Sequence, residues 1–584
     1  MNQLLIGWAS RDVSTDQPVN IPGQFHMRIS EGVLDPVTVT ALVIDNGEDL
    51  VCFLSADLVV IRSGLLDDIR AKTAKLLPGF PVLKIIMNAT HTHAAPSHYA
   101  DGGWGKTAGG ISTPAKNDLP VEMDIASGDE YRDFLSTQSA EAIAEAYRRR
   151  ARGGVAWGYG YAVVAHSRRV TYADDLSLRP GAIKNSTHGL NGHSAMYGKT
   201  NDPNFLGYEA GADHFINLLY TFDSRNRLTG AIVNVPCPSQ CSEGIYKLSA
   251  SYWHETREAI RKHHRGIHII AQAAAGGDLS PRILHYRDAQ ERRFRLKYGR
   301  ERLFSEEFER RDIAERISAA FEEVLVWARK DIRTELPIKH AVTTASLTKR
   351  LIAKEEYEAD KAMLAELKAK PFKTDGTPKE NLIHNSILVA GRNRCQRIID
   401  RYELLDAEPK LPMELHALRI GDIAFATNRF ELYMDYMHRI QARSPFEQTF
   451  VVQLCGVPGM DGGTYLPTER GEWGRGYSAS KYCNIVCAKG GQELVEQTLQ
   501  LLNQIADPKP ADGNVSLPAK TPAAKPTKTT KASPKTTKSA AKPVTKSTKT
   551  AKPVATKKAK PPAKSAKTAK AKPAAKSTKT ATKK

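Results

Sequence analysis

The sequence predicts an α/β fold: a mixed sheet covered by helices, with an added helical section and a disordered C-terminal tail. Three observations carry this reading. Several strand-length runs are continuously apolar, segments of helical character separate them, and the composition changes abruptly at Pro508. A strand that stays apolar along its length needs cover on both faces, which α/β proteins supply.

The elements run in this order. Residues 37–44 and 50–55 read as strands, 63–77 as an amphipathic helix and 82–87 as another strand. The same order recurs as a strand at 230–235, a helix at 252–263 and a strand at 267–273. Residues 286–335 and 346–405 are rich in Arg, Glu, Lys, Ala and Leu and read as helices, so a helical insertion is expected at about 286–410. Residues 415–420 and 423–427, joined by Gly421-Asp422, form a predicted hairpin. A helix is expected from about Arg429, and 450–454 is a further strand.

The formal net charge of +20 is unevenly placed. From Pro508 to Lys584 there are 22 Lys, no Arg, no aromatic residue and one acid, Asp512, a net of +21. That leaves residues 1–507 at −1, so a charge argument for nucleic-acid binding excludes the body and applies to the tail. Repeated Lys-Pro, Lys-Thr and Ala-Lys units cannot bury enough surface to offset ordering entropy. Residues 508–584 are therefore expected to be disordered and to contact nucleic acid or another polyanion through diffuse phosphate neutralisation. The bland alternative is a solubilising extension.

No run approaches the ~18 apolar residues that a membrane helix needs. The N-terminus lacks the basic segment and the apolar length of a signal peptide, so a cytoplasmic location is expected. The seven cysteines are an odd count in a long chain, which argues against a disulfide framework.

Polar clusters fall just beyond predicted strands, where open α/β sheets place their ligands. Asn88-Ala-Thr-His91-Thr-His93-Ala-Ala-Pro96 comes directly after the strand at 82–87. Two His one residue apart on an extended segment point to opposite sides and chelate one ion only if the backbone bends. One could hold a metal while the other faces substrate; the alternative is hydrogen-bonded filler. Ala275-Gly-Gly-Asp-Leu-Ser280-Pro-Arg comes after the strand at 267–273, and its glycines would let the backbone approach a ligand. Ser280 is a candidate hydroxyl donor or nucleophile. Asn428-Arg-Phe-Glu431 also has the form of a helix capping box. Gly462-Gly-Thr-Tyr465-Leu-Pro-Thr-Glu469 comes after the strand at 450–454.

Taken in order, these clusters resemble the neutral/alkaline non-lysosomal ceramidase family. The resemblance begins at Ile6-Gly-Trp-Ala and Leu54-Ser-Ala-Asp57-Leu-Val and spans most of 1–500. Thr90-His-Thr-His93-Ala-Ala-Pro is similar to the family's His-Thr-His-Ser-Gly/Ala-Pro, and Gly277-Asp-Leu-Ser280-Pro to its Gly-Asp-Val-Ser-Pro. Glu431 falls at the Pro-Gly-Glu segment, and Tyr465-Leu-Pro-Thr-Glu469 resembles Tyr-Val-Thr-Thr-Pro-Glu-Glu.

Members are zinc-dependent amidases that split ceramide into sphingosine and a fatty acid. The resemblance implies a metal-dependent hydrolase domain at 1–507, cleaving an amide bond of an N-acylsphingosine-like or other small-molecule amide or lipid. It implies His91, Glu431 and Tyr465 as Zn²⁺ ligands, with His93 contacting the reacting centre. Ser280 would sit over the scissile amide as nucleophile or hydrogen-bond donor. Arg168 or Arg169, near the family's Asn-Arg-Ser segment, would stabilise the oxyanion. Such a ligand set lets Zn²⁺ lower the pKa of bound water to about 7.

Two departures stand out. Where the family has its other zinc His, this chain reads Asn234-Val-Pro-Cys237-Pro238-Ser-Gln240-Cys241, with Pro238 at the His position. Cys237, Cys241, His254 and His98 are the candidate replacements. The tail also stands where the secreted members carry an immunoglobulin-like domain. A catalytically inactive scaffold tethered to DNA or another polyanion by its tail is the alternative expectation.

Overall fold

The computed structural model describes residues 3–62, 64–99, 118–299, 305–404, 407–459 and 464–507. The expected disorder of 508–584 lies outside the described residues, as do Gly462 and Gly463.

The fold is a mixed α/β assembly built from one motif used three times. The first copy has strands β1 (Leu5–Asp12), β2 (Thr38–Asp45) and β3 (Leu50–Ala56), helix α1 (Leu65–Leu76), strand β4 (Ile85–Ala89) and helix α2 (Gly128–Arg148). The second has β5 (Ala151–Tyr161), β6 (Phe215–Asp223), β7 (Leu228–Val235), α3 (Tyr252–His263), β8 (His268–Ala273) and α4 (Ser305–Ala328). The third has β9 (Ile338–Thr348), β10 (Lys410–Ile420), β11 (Ile423–Thr427), α5 (Met434–Arg443), β12 (Gln448–Val452) and α6 (Ala488–Ile505).

Each copy pairs its first three strands antiparallel and its third with its fourth in parallel, across the connecting helix. A parallel neighbour cannot be reached by a tight turn, so a crossover helix is required there. The first two copies join through Leu5↔Arg152 and Ile6↔Ala151 into an eight-stranded sheet, and the third forms a four-stranded sheet.

The alternation of side chains explains why these strands are apolar throughout. Along β3, Cys52, Leu54 and Ala56 face a core with the α1 and α2 residues Leu66, Ile69, Leu135 and Ile143. Val51 and Phe53 point the other way, into a second core with Ile232 and Ile270 of the second copy and Phe425 and Phe450 of the third. Cover on both faces is therefore real, but helices cover one face and another sheet the other. Phe53, Phe425 and Phe450 meet at centroid distances of 4.9 and 4.3 Å. Such pairs add about 0.5–1.5 kcal/mol each beyond area burial.

Helix α2 starts at a capping box: the Ser127 hydroxyl accepts from Glu130 N at 3.1 Å, and Glu130 Oε2 accepts from Ser127 N at 2.8 Å. The helices expected from the Arg/Glu/Lys-rich stretches lie at Arg287–Tyr298, Ser305–Ala328, Lys354–Ala369 and Pro378–Leu404, with β9 running between the second and third. The hairpin at Gly421-Asp422 joins β10 to β11 as expected.

One local expectation fails. Asn428–Glu431 is not a helix cap: Asn428 Oδ1 accepts from Phe430 N at 3.0 Å in a turn, Glu431 starts a short bridge, and the helix begins only at Met434. Among the described residues no helix is long and apolar enough to cross a membrane.

Candidate active site

The three parallel strand pairs end together, and each copy contributes the segments that extend beyond its strand ends. After β4 the chain bends at His91, whose φ of 67° is left-handed and rarely adopted by a residue with a Cβ. That bend resolves the alternation problem. It brings His91 Nε2 to 3.3 Å from His93 Nε2, with the rings at 86°. The backbone is held there by Thr90 N donating to Ala56 O and His91 N to Leu58 O. Gly23 backs the second ring: its φ is +105°, and a Cβ there would lie 2.7 Å from the His93 ring.

The other copies close the site. Glu431 and Tyr465 are register partners in a short parallel bridge, which sets their side chains next to each other. Gly277 lies below them, where a Cβ would stand 2.3 Å from the Glu431 carbonyl. The glycine therefore allows close packing of two backbones, not approach to a ligand. Ser280 bridges to His166, Arg168 N donates to Asp278 O, and Tyr197 N donates to Arg168 O, which ties Ser280, Arg168 and Tyr197 into one frame.

His91 Nδ1 lies 2.7 Å from Val59 O and must carry the proton of that bond. Its Nε2 therefore presents a lone pair in the neutral ring, 3.3 Å from Glu431 Oε2. A lone pair facing a carboxylate oxygen calls for a cation or a proton between them. Tetrahedral zinc with bonds of about 2.1 Å spaces its ligand atoms about 3.4 Å apart, so the spacing fits. Fixing Nδ1 on a carbonyl is also how metal-bound histidines are oriented. Among the described residues, no group of three or more His, Cys, Asp or Glu has the arrangement of a metal site. The predicted set needs Tyr465 as its third member.

Arg168 is buried at the centre. It donates to Gly277 O at 2.9 Å, Tyr465 Oη at 3.3 Å, Gln240 Oε1 at 3.0 Å and Tyr197 Oη at 3.4 Å, and lies 3.8 Å from Glu431. Burial weakens its charge, but Tyr465, Tyr197 and Glu431 outweigh burial and hold it cationic. Burial, then His91, Arg28 and Arg168, pushes the His93 ring well below its ordinary value, so it is neutral. Burial and Glu431 push the Tyr465 hydroxyl well up. The Ser280 hydroxyl pairs with Tyr197 Oη at 3.3 Å and accepts from Arg282 N at 3.1 Å.

His93, Arg168, Tyr197, Gln240, Glu243 and Tyr465 line a cavity of about 340 Å³, together with Phe25, His188 and Tyr477. Phe25 meets His188 edge-on at 4.2 Å.

Of the two arginines, Arg168 faces the cavity. Arg169 turns away and makes bonds to Glu209 of 2.8 and 2.7 Å and to the carbonyls of Tyr477, Gly471 and Arg475. None of the four candidates for the missing histidine joins the site. Cys237 Sγ points at Val164 O in the core, and Cys241 lies in the same core. His98 Nε2 accepts from Arg62 N, and His254 sits on α3 near Asp35. The residue that does reach the histidine pair is Gln240, 3.0 Å from His93 Nε2 and 3.5 Å from His91 Nε2. Sequence reasoning missed Gln240 and Tyr197. The signals were Gln240's place in the departing segment and nothing at all for Tyr197.

The fold and site together define a mixed α/β protein with a pocket lined by His93, Arg168, Gln240 and Tyr465, behind which lie His91 and Glu431. Two solved structures share that architecture. Neutral ceramidase from Pseudomonas aeruginosa superposes with a TM-score of 0.56 and 16% identity, covering 88% of this chain and 77% of that one. A ceramidase complexed with C2 gives 0.53 and 14%, covering 86% and 75%. The chain thus has a distant ceramidase-like fold. No family model matches the sequence, and no curated protein matches it either.

Proposed function

We propose that this protein is a ceramidase-like hydrolase that cleaves a C–N amide bond in an N-acylsphingosine-like or other acyl amide. The observation that carries the proposal is that His93, Arg168 and Tyr465, from all three copies of the motif, line one cavity, with His91 and Glu431 directly behind them and Ser280 joined through Tyr197. The ceramidase-like fold supports it.

The chain's own groups divide the work. The acyl chain lies along Phe25 and Tyr477, which exclude water. Ser280 Oγ faces the carbonyl carbon, held by the hydrogen bond that Tyr197 Oη donates to it. Arg168, itself almost wholly buried, aims a fixed guanidinium at the oxygen that becomes anionic. His93, neutral and buried, presents a lone pair that takes the proton released by Ser280 on attack and returns it to the departing amine, and water then frees the acyl group. A divalent metal fits at His91 Nε2, Glu431 Oε2 and the Tyr465 hydroxyl, where it would polarise the carbonyl and acidify water. Seven free thiols, six of them buried, support a reducing, cytoplasmic setting.

Hydrolysis of a fluorogenic N-acyl amide, with and without added Zn²⁺, tests the reading. Ser280→Ala is expected to lose on the order of 1,000-fold or more in kcat, and His91→Ala to lose both metal and turnover. Full activity in Ser280→Ala would remove Ser280 from the mechanism.

A second reading is an inactive scaffold tethered through residues 508–584. The amide of Gln240 beside the histidine pair favours it. Amide turnover that Ser280→Ala abolishes would end that reading. Deleting 508–584 is expected to abolish salt-sensitive DNA retention and leave hydrolysis unchanged.

A further inference from the structure

The carboxamide of Gln240 connects the two halves of the pocket. Its Oε1 accepts from Arg168 at 3.0 Å, and its Nε2 lies 3.0 and 3.5 Å from the inward nitrogens of His93 and His91. The arginine contact decides which end is which. A guanidinium only donates, so it must face the amide oxygen, and the NH₂ group is turned to the imidazoles. That NH₂ is a donor and offers no electron pair to a cation. Turned over, the amide would present its oxygen to a metal but would set NH₂ against guanidinium, donor against donor. Both groups are almost wholly buried, so that clash would be costly. Nearby, Pro238 is occupied elsewhere, with its Cδ against Gly276.

We propose that Gln240 is a plug at the metal corner, keyed by Arg168. Metal at His91, Glu431 and Tyr465 is then an exchangeable activator, taken up against the plug's hydrogen bonds, and not a resident ion. The availability of divalent metal would in this way set how much of the protein is active. The proposal rests on the metal-assisted hydrolase reading above and goes beyond it in naming the residue that regulates occupancy.

The test is metal binding itself, measured on the full chain by Zn²⁺ titration in the presence of a competing chelator, and by Co²⁺ absorption. Gln240→Glu is isosteric and replaces the inward NH₂ by an acceptor oxygen while keeping the partner of Arg168. It is expected to tighten Zn²⁺ binding by roughly 10- to 100-fold, the scale of effects seen when groups around a metal are altered. Its apo form should melt lower than wild type and recover on adding Zn²⁺. Wild type should lose its metal on dialysis against the chelator. Gln240→His is expected to tighten binding in the same direction, and it decides the matter if Gln240→Glu does not fold.

Two results overturn the proposal: wild type that retains one zinc per chain through dialysis, or variants that bind no tighter than wild type. Amide hydrolysis at saturating Zn²⁺ is scored separately. Tight wild-type zinc with normal turnover sinks the plug and spares the hydrolase. Weak wild-type zinc, tightened in the variants but without any turnover, does the reverse.

Discussion

Two buried histidine pairs, each with a carboxylate and an arginine, behave as opposites in this protein. In the sheet of the third copy, His340 and His416 lie 2.9 Å apart, His416 Nε2 is 2.9 Å from Glu414 Oε1, and Arg70 of α1 grips both Glu414 oxygens at 2.7 and 3.1 Å. One neutral tautomer of each ring satisfies this chain, with His340 donating to His416 and His416 to Glu414. Only His340 Nδ1, 3.3 Å from Leu50 O, is left without a proton. At the strand ends, by contrast, His91 Nε2 faces His93 Nε2 and Glu431 Oε2, and the nearby donor is a borrowed one from Gln240. The first pair fastens one copy of the motif to another. The second is short of donors and opens on a cavity. Incomplete hydrogen-bond arithmetic in a buried site is costly to keep, and it marks where a ligand or cation belongs.

That contrast can be broken by mutation. The largest effect is expected at Arg168→Met, which should lower kcat of amide hydrolysis by about 100- to 1,000-fold with a much smaller change in KM, because an oxyanion donor acts mainly in the transition state. An equal loss in KM alone would make Arg168 a ground-state binder. Arg70→Met should do the opposite. It strands the buried Glu414 and should cost about 3–5 kcal/mol in urea unfolding, while turnover of the folded fraction stays at wild type.

The smallest effect sharpens the comparison through pH. Burial would raise the Glu414 carboxyl, but the hydrogen bonds from His416 and Arg70 outweigh it and hold it at about 2, against an ordinary 4.5. A carboxylate depressed in the fold stabilises fully above its unfolded value, and that stability is lost as pH falls through the folded one. The His416 ring, lowered by burial, resists protonation and adds to the loss below pH 6.5. Thermal melting from pH 7 downward should therefore show a steep acid limb, and Glu414→Gln should flatten it between about pH 4.5 and 2. An unchanged acid limb in that variant would assign the acid sensitivity to other groups.

How much of this was legible in the sequence depended on whether a segment's chemistry is local. The apolar strands β2, β3, β4, β7, β8 and β12, the helices α1 and α3 and the Gly421 hairpin showed in their own residues. Strand β5, written Ala-Arg-Gly-Gly-Val-Ala-Trp-Gly-Tyr-Gly-Tyr, hides among glycines, and β1 mixes Gly, Trp, Ser and Arg. Their extended form is imposed by neighbouring strands. Of the site, His91, His93, Ser280, Glu431, Tyr465 and Arg168 could be singled out by motif and are brought together. Gln240 and Tyr197 could not, because their importance lies in distances across 72 and 83 positions of chain, to Arg168 and Ser280. The bend at His91 was equally invisible, since no local rule predicts a left-handed histidine.

The threefold use of one motif carries a consequence for how the molecule reaches its working state. The first copy brings His91 and His93, the second Arg168, Gln240 and Ser280, and the third Glu431 and Tyr465, so no two copies alone can assemble the pocket. Chains with many distant contacts fold slowly and through partly formed species. If the pocket hydrolyses an amide as proposed, turnover is expected to be the last property to return during refolding, later than helix content and later than the burial of tryptophan. The interval between those signals would time the docking of whichever copy joins last.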